Sequence, residues 1–398
     1  MESLFYVGII FFFGSLVQWL SPKFHMPTVV SYLILGLLIG PEIFGLIPRE
    51  FVEGSYIVTD VALSVIAVLV GAKLKLSTLK GRGKEIVYIT LFQSIGTFIS
   101  VAVGFSLLGG FLNLAYAEIL FISLLLAGIA SATAPATPLA IVRELKAEGT
   151  FTTIFLAIVA TDDAISLIMF SLALAIGMTF IENGPFEWIT LLDIIRLIGL
   201  SMLIGVVAAF INTGMEMLFK HKKSMETIST LGLIFIVYSL SKHWHLEPLL
   251  SAMFMGIVMA NTSSDFDIVE EEIDNHLAEI IFMLFFIISA MHLELSTVFA
   301  FPLAIVFYIG LRFFGKVMGS YLGALLSDSA KNVKKYMGLA LLPQAGVAIG
   351  LALSIQKYEG LEVVAPLILN IIITTTLIHE LIGPFLTKYA LSKSGESR

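Results

Sequence analysis

Two adjacent acidic residues, Asp162 and Asp163, lie well inside the long apolar segment 150–180. If that segment is a membrane helix, both carboxylates lie near its centre, where an ionised side chain is costly and usually functional. Consecutive helical residues point about 100° apart, so the two side chains cannot face the same neighbour. A structural ion pair needs only one of them. The pair therefore indicates a site that binds cations or protons.

Basic residues that can balance these charges are few. Arg312 and Lys316 lie four positions apart in the apolar segment 298–325, on one face of a helix. Arg196, another basic residue inside an apolar segment, lies near a helix end beside Asp193, where its side chain can reach the interface. Lys316 or Arg312 is therefore the candidate charge partner of the aspartates.

Two apolar segments are interrupted by proline in a polar setting. The residues concerned are Pro135 and Pro138, close to the hydroxyl of Thr133, and then Pro343, Gln344 and Gly346. Proline removes a backbone hydrogen bond, and in a bilayer the freed groups are tolerated only where protein or water satisfies them. The breaks lie 208 residues apart in oppositely directed helices. This pattern predicts inverted repeats with two crossing discontinuous helices, which meet at the ion site in such transporters.

The composition indicates which elements must hold these residues. Of 398 residues, 58% are hydrophobic and 13% are charged, and the mean hydropathy is +0.98, whereas a soluble domain has about 25% charged residues. Long unbroken apolar runs argue against the alternating pattern of a membrane β-barrel. The sequence predicts an all-α polytopic membrane protein with 13 transmembrane helices of about 20 apolar residues each. They are expected near residues 3–20, 27–46, 56–74, 86–109, 117–143, 150–180, 188–219, 226–240, 246–261, 274–291, 298–325, 333–356 and 362–388.

The distribution of Lys and Arg predicts the orientation. The chain has 23 of them, of which seventeen lie in the odd-numbered connections and the C-terminal tail. Three lie in the even-numbered connections, namely Arg49, Lys242 and Lys357. By the positive-inside rule the N-terminus is outside and the C-terminus is cytoplasmic. We expect an integral multi-pass protein of a prokaryotic inner membrane.

Two further polar features have less direct interpretations. The connection Asp265 to Glu279 is acidic and lacks Lys and Arg. It is either a solvated surface loop or an acidic vestibule that concentrates cations at the inner mouth. His379 and Glu380, towards the inner end of the last predicted helix, are interpreted as a local polar pair.

Five stretches together resemble the monovalent cation/proton antiporter superfamily. They are Pro27–Pro41, the break Thr133–Pro135, the pair Asp162–Asp163, Arg312–Lys316 and the break Leu342–Gly346. They span nearly the whole chain. Within the superfamily, the pair of aspartates is similar to that of the electrogenic bacterial Na⁺/H⁺ antiporters of the Na⁺/H⁺ exchanger family.

The resemblance implies an architecture. Residues 1–398 are expected to form a single membrane transport domain, which assembles as a homodimer of thirteen-helix protomers in the lipid bilayer. A core bundle of approximately 86–180 and 298–388 is expected to move against a dimerisation bundle of approximately 1–74 and 188–291. Because the chain ends shortly after its last helix, no soluble regulatory domain is expected.

The resemblance also implies roles for residues. Asp163 is expected to hold the cation and the proton alternately, and Asp162 to pair with Lys316. The Na⁺ ligands are then expected from Asp163, Asp162 and the Thr133 hydroxyl, since Na⁺ prefers oxygen ligands. The sequence differs from two branches of this superfamily. It has Ala134 where one branch has Asp in the first break, and it has Asp162 where another branch has Asn before the second aspartate.

These features predict a secondary active antiporter that exchanges Na⁺ or Li⁺ for H⁺ by alternating access, electrogenically. A K⁺/H⁺ antiporter is the alternative. An intramembrane aspartyl protease needs two carboxylates that face each other from separate helices, so no enzymatic activity is expected. Neither a cofactor nor a nucleic-acid partner is expected.

Overall fold

The structure is a computed structural model, and it describes residues 3–24, 26–108, 116–182, 188–219, 223–263, 266–292, 302–344, 346–355 and 364–397. Within these ranges the regular secondary structure is helical, without strands. The prediction of an all-α protein is confirmed.

Ten α-helices lie in the described ranges up to residue 219. They are α1 (Ser3–Leu20), α2 (Thr28–Ile39), α3 (Arg49–Gly54), α4 (Tyr56–Ala72), α5 (Leu76–Leu79), α6 (Gly83–Leu108), α7 (Tyr116–Ala130), α8 (Ala136–Glu144), α9 (Thr150–Glu182) and α10 (Trp188–Phe219). A short 3₁₀ helix, Ser21–Phe24, follows α1.

Eight further helices follow in the described ranges. They are α11 (Lys223–His243), α12 (Pro248–Thr262), α13 (Phe266–His276), α14 (Ala278–Met291), α15 (Pro302–Leu326), α16 (Lys331–Ala340), α17 (Gly346–Ser354) and α18 (Val364–Ser394). Each predicted segment coincides with a helix or, at the two proline breaks, with a pair of helices.

Six of these helical stretches are long and apolar enough to cross a membrane, and α13 with α14 is a seventh candidate bent by 54°. Shorter apolar helices, such as α2, α4, α7 and α12, fall below that length. The described residues therefore support a multi-pass membrane protein, and the count of thirteen spans stays a prediction.

The chain divides into two compact units. The first contains residues 1–80, 139–144 and 197–293, and the second contains residues 81–138, 145–196 and 294–398. In the first unit, α4 packs against α12 through Gly71, where an added Cβ would lie 2.1 Å from the Met253 carbonyl oxygen. The assignment of a transport core and a dimerisation bundle stays a prediction.

The second unit has an apolar exterior and a polar interior. Leu107 of α6 is 79% exposed and Phe314 of α15 is 59% exposed, whereas Asp162, Arg312 and Lys316 are fully buried. This distribution suits a surface in contact with lipid, because intramembrane charges face the interior of a bundle and pair there.

The acidic connection forms α13 in the first unit, and three of its carboxylates are paired. Asp267 pairs with Lys75 at 2.7 Å, Glu270 with Lys73 at 2.6 Å, and Asp274 with Arg143 at 3.1 Å. Asp265 lies outside the described residues. Because basic side chains already neutralise these carboxylates, the arrangement favours a structural role for α13 over a vestibule that attracts cations.

Candidate functional site

Both predicted breaks are non-helical segments between paired helices. The first separates α7 from α8, and Pro135 is its last residue. Pro138 lies in the first turn of α8, where its missing N–H would have no partner within the helix. The second break separates α16 from α17 and contains Pro343 and Gln344, and Gly346 is the first residue of α17.

The two breaks contact each other in the interior of the second unit. The backbone N–H of Ala134 donates to the carbonyl of Pro343 at 3.0 Å. The side-chain amide of Gln344 donates to the carbonyl of Ile129, near the end of α7, at 3.2 Å. Each break thus satisfies part of the backbone that the other frees, which is the condition for non-helical backbone inside a membrane.

Arg312 connects both breaks through backbone carbonyls. Its Nε donates to Ala130 at 3.0 Å, its Nη2 to Ala132 at 2.8 Å and its Nη1 to Leu342 at 2.6 Å. The rigid fork of the guanidinium group suits several acceptors at fixed directions. Arg312 therefore neutralises the carbonyl ends of the broken helices, and its hydrogen bonds to described residues are to these carbonyls and not to Asp162.

Asp162, on α9, is the acceptor at the centre of the site. Its Oδ1 accepts hydrogen bonds from Nε2 of Gln93 and from the Ser94 hydroxyl, the latter at 3.3 Å. Its Oδ2 accepts from the Thr133 hydroxyl and from Nζ of Lys316, the latter at 3.1 Å. A carboxylate offers about four lone-pair positions, and four donors face this one.

Lys316 is paired with Asp162, as the resemblance implies. Both side chains are fully buried. The ammonium group also donates to the carbonyl of Ser131 at 2.8 Å and to the Thr133 hydroxyl at 2.5 Å. Three ammonium protons therefore meet three oxygens, and two of these oxygens belong to the first break.

Gln93 and Ser94 are site residues that the sequence analysis missed. They lie on α6, which approaches α15 closely because Gly315, Gly319 and Gly323 face it. A Cβ added to Gly319 would lie 2.3 Å from the Phe92 carbonyl oxygen. Such spacing of small residues at intervals of four is a known signature of closely packed membrane helices. The signal that identifies Gln93 and Ser94 is thus a polar patch on a helix opposite a glycine stripe.

The side chain of Asp163 lies outside the described residues, although its backbone belongs to α9. Its predicted role as the carrier of cation and proton stays a prediction. Thr133, Asp162, Lys316 and Arg312 are the predicted residues that the fold brings together.

Comparison with known proteins identifies a family for the chain. The sequence matches the family described as "Sodium/hydrogen exchanger, transmembrane" over residues 8–393. A Na⁺/H⁺ antiporter of Enterococcus hirae is 23% identical over 405 residues, which cover 99% of this chain and 99% of that protein. A probable Na⁺/H⁺ antiporter 3 of Methanocaldococcus jannaschii is 27% identical over 266 residues, which cover 65% of this chain and 63% of that protein.

Two solved structures of the sodium proton antiporter MjNhaP1 from Methanocaldococcus jannaschii have a similar fold. A structure at pH 8 matches with a TM-score of 0.69 and 20% identity, covering 98% of this chain and 95% of that one. An electron-microscopy structure matches with a TM-score of 0.80 and 20% identity, covering both chains fully at 100%. With the family match over nearly the whole length, the chain belongs to the transmembrane sodium/hydrogen exchanger family, which consists of transporters and not of enzymes.

Proposed function

We propose that the protein exchanges Na⁺ or Li⁺ for H⁺ across a membrane. The observation that carries the proposal is the fully buried Asp162, which is paired with Lys316 beside the contact between the two breaks. A carboxylate in such surroundings can hold either a proton or a cation, so the two substrates compete for one group. The names of the sequence relatives support Na⁺ over the K⁺ alternative.

The hydrogen bonds around Asp162 suggest how competition works. All four lone-pair positions already face donors, so a cation can reach Asp162 only after a donor leaves. Lys316 is the donor that a cation replaces without net change of charge. The Thr133 hydroxyl can then rotate and offer its lone pairs to the cation, and Asp163 supplies the second carboxylate of the proposed Na⁺ site. We therefore assign Asp162, Asp163 and Thr133 as ligands and Lys316 as the competing charge.

The remaining steps follow from charge and architecture. We propose that the second unit is the transport core and that the first unit forms a homodimer interface, with the N-terminus outside and the C-terminus in the cytoplasm. If two protons enter for each Na⁺ that leaves, one net charge moves inward. A potential of about −150 mV then contributes about 3.5 kcal/mol, equivalent to roughly a 300-fold Na⁺ gradient.

The test is cation-driven proton movement in proteoliposomes that contain the purified protein and a pH-sensitive dye. Na⁺ and Li⁺ should each drive proton movement at concentrations where K⁺ drives little. A voltage clamp by valinomycin and K⁺ should change the Na⁺-driven rate if exchange is electrogenic. Equal movement with K⁺ would favour the K⁺/H⁺ alternative, and no movement with any of the three cations would refute the proposal.

A further inference from the structure

The last helix, α18, carries a buried polar face that the proposed site does not use. Thr376 lies three residues before His379 and four before Glu380, so the three side chains lie on one broad face of the helix. They are 4%, 5% and 6% exposed, respectively. Polar side chains at such positions are costly unless they are satisfied or functional.

Contacts further along α18 show what this face packs against. A Cβ added to Gly383 would lie 2.9 Å from Cγ of Pro343, and the Thr387 hydroxyl donates to the Ala340 carbonyl at 3.0 Å. Gly383 is four residues after His379 and three after Glu380, so all three lie on the face that contacts the second break. The polar face therefore extends from this break along the inside of the second unit.

At one end the polar face reaches the site. The ring of His379 meets the ring of Tyr308 edge-on, with centroids 6.4 Å apart, and the Tyr308 hydroxyl accepts a hydrogen bond from Gln344 at 3.0 Å. Among the described residues, the charged and titratable groups that act on His379 from neighbouring helices are Tyr308, Arg312 and Lys316, all on α15. His379 thus lies beside the residues that hold the two breaks and Asp162.

Several polar atoms on or beside this face lack a well-formed hydrogen bond to the described residues. Neither ring nitrogen of His379 meets a partner there with good hydrogen-bond geometry, although the Thr375 backbone, one turn earlier on α18, interacts with the ring. The Thr376 hydroxyl and Oε1 of Gln344 have no hydrogen-bond partner there. Clustered buried polar atoms without protein partners are where ordered water binds. Water at this position would connect His379 to the second break.

Glu380 lacks a counter-charge among the described residues. No charged side chain among the described residues pairs with it. Its neighbour His379, with which the sequence predicts a local polar pair, makes no hydrogen bond to it there. A buried carboxyl without an ion pair among the described residues has no evident structural purpose. About two turns after Glu380, α18 carries Lys388, and Lys393 lies in its last turn. The proposed orientation places this end of the helix in the cytoplasm.

From this arrangement we propose that Glu380 is a second proton-binding carboxyl, and that His379 and Glu380 relay protons between the Asp162 site and the end of α18. The inference rests on the proposed Na⁺/H⁺ exchange. A proton that leaves Asp162 passes through water to one ring nitrogen of His379, while the opposite nitrogen gives its proton through water to the ionised Glu380. Because His379 accepts and donates together, no additional positive charge accumulates beside Arg312. Protonated Glu380 then releases its proton to water at the end of α18 that carries Lys388.

The principal test replaces Glu380 by Gln, which keeps the shape and removes the exchangeable proton. Groups that transfer protons contribute about 10²–10⁴-fold to a rate. Water can partly replace the missing carboxyl, so we expect a smaller effect, about a tenfold loss of Na⁺-driven turnover in proteoliposomes. Na⁺ affinity by isothermal titration at alkaline pH should stay at the wild-type value. Infrared difference spectra between acidic and alkaline pH should lose one carboxyl band, and Glu380→Asp should recover part of the turnover.

The matched control is Thr387→Val, which removes a hydrogen bond from the same helix face. It should lower stability without loss of the infrared band. If Glu380→Gln exchanges at the wild-type rate, or if its infrared difference spectrum equals that of the wild type, the relay is refuted. Should Glu380→Gln fail to fold, a shifted infrared band in Glu380→Asp supports the relay and an unshifted spectrum refutes it. A wild-type protein without cation-driven proton movement refutes the proposed function itself, so the two failures are distinguishable.

Discussion

Replacing Lys316 by Met tests the buried ion pair directly. Met keeps the length and apolar stem of the side chain and removes the ammonium group, which donates to Ser131, Thr133 and Asp162. Removing one partner of a buried pair costs about 3–5 kcal/mol, because the other charge is left without compensation. Gln93, Ser94 and Thr133 still donate to the carboxylate, so we expect a loss of unfolding free energy towards the lower value, about 3 kcal/mol.

The assay is equilibrium unfolding in mixed detergent micelles. Four proteins are needed, namely the wild type, Lys316→Met, Asp162→Asn and the double variant. The double variant should be more stable than the sum of the single effects predicts, by about 2–3 kcal/mol, within the usual range of coupling for residues in contact. The control is Lys334→Met, which removes a surface ion pair with Asp328. The Asp328 side chain is 96% exposed and lies 3.5 Å from the Lys334 ammonium, so this substitution should lower the free energy of unfolding by less than about 1 kcal/mol.

Two results would refute this reasoning. One is a Lys316→Met protein that loses no more stability than the Lys334→Met control. The other is a double variant whose effect equals the sum of the single effects, which would mean that Lys316 and Asp162 do not interact energetically.

Four further substitutions have expected outcomes. Asp163→Asn should abolish Na⁺-driven proton movement in proteoliposomes with a folded protein, because an amide cannot exchange a proton for a cation, and residual exchange would remove Asp163 from the site. Thr133→Val should weaken Na⁺ binding in isothermal titration by about tenfold, since one oxygen ligand contributes about 1–2 kcal/mol, and an unchanged affinity would show that the hydroxyl is not a ligand. Gly319→Leu should destabilise the protein by about 1–3 kcal/mol or more in the same unfolding assay, because its Cβ would collide with backbone; a neutral effect would argue against the close approach of α6 and α15. Glu396→Ala should lower the free energy of unfolding by about 1–2 kcal/mol. The Glu396 carboxylate accepts hydrogen bonds from the N–H groups of residues 151 and 152, at 2.7 and 2.8 Å, at the start of α9. An unchanged free energy of unfolding would show that this cap is unimportant.

The sequence alone identifies the local features of the site. A proline lacks the N–H that a helix needs, so the breaks at Pro135 and Pro343 follow from composition at those positions. Likewise, Asp162 and Lys316 are conspicuous because few charged residues occur in apolar segments. The predictions that concern helices, breaks and charged candidates depend on properties that each segment carries by itself.

Which groups meet was decided by the tertiary structure. Gln93 precedes Asp162 by 69 residues, and nothing in α6 by itself indicates that its amide faces that carboxylate. Helix spacing leaves Arg312 and Lys316 as alternative charge partners, and only the family resemblance favours Lys316. In the structure Arg312 donates to the carbonyls of both breaks, whereas Lys316 donates to Asp162. The physical reason is that a donor bonds only within about 3 Å, and that distance is set by helix rotation and by glycines that let two backbones approach. Charge and helix breaking are local properties of a sequence, whereas pairing across helices is a property of their packing.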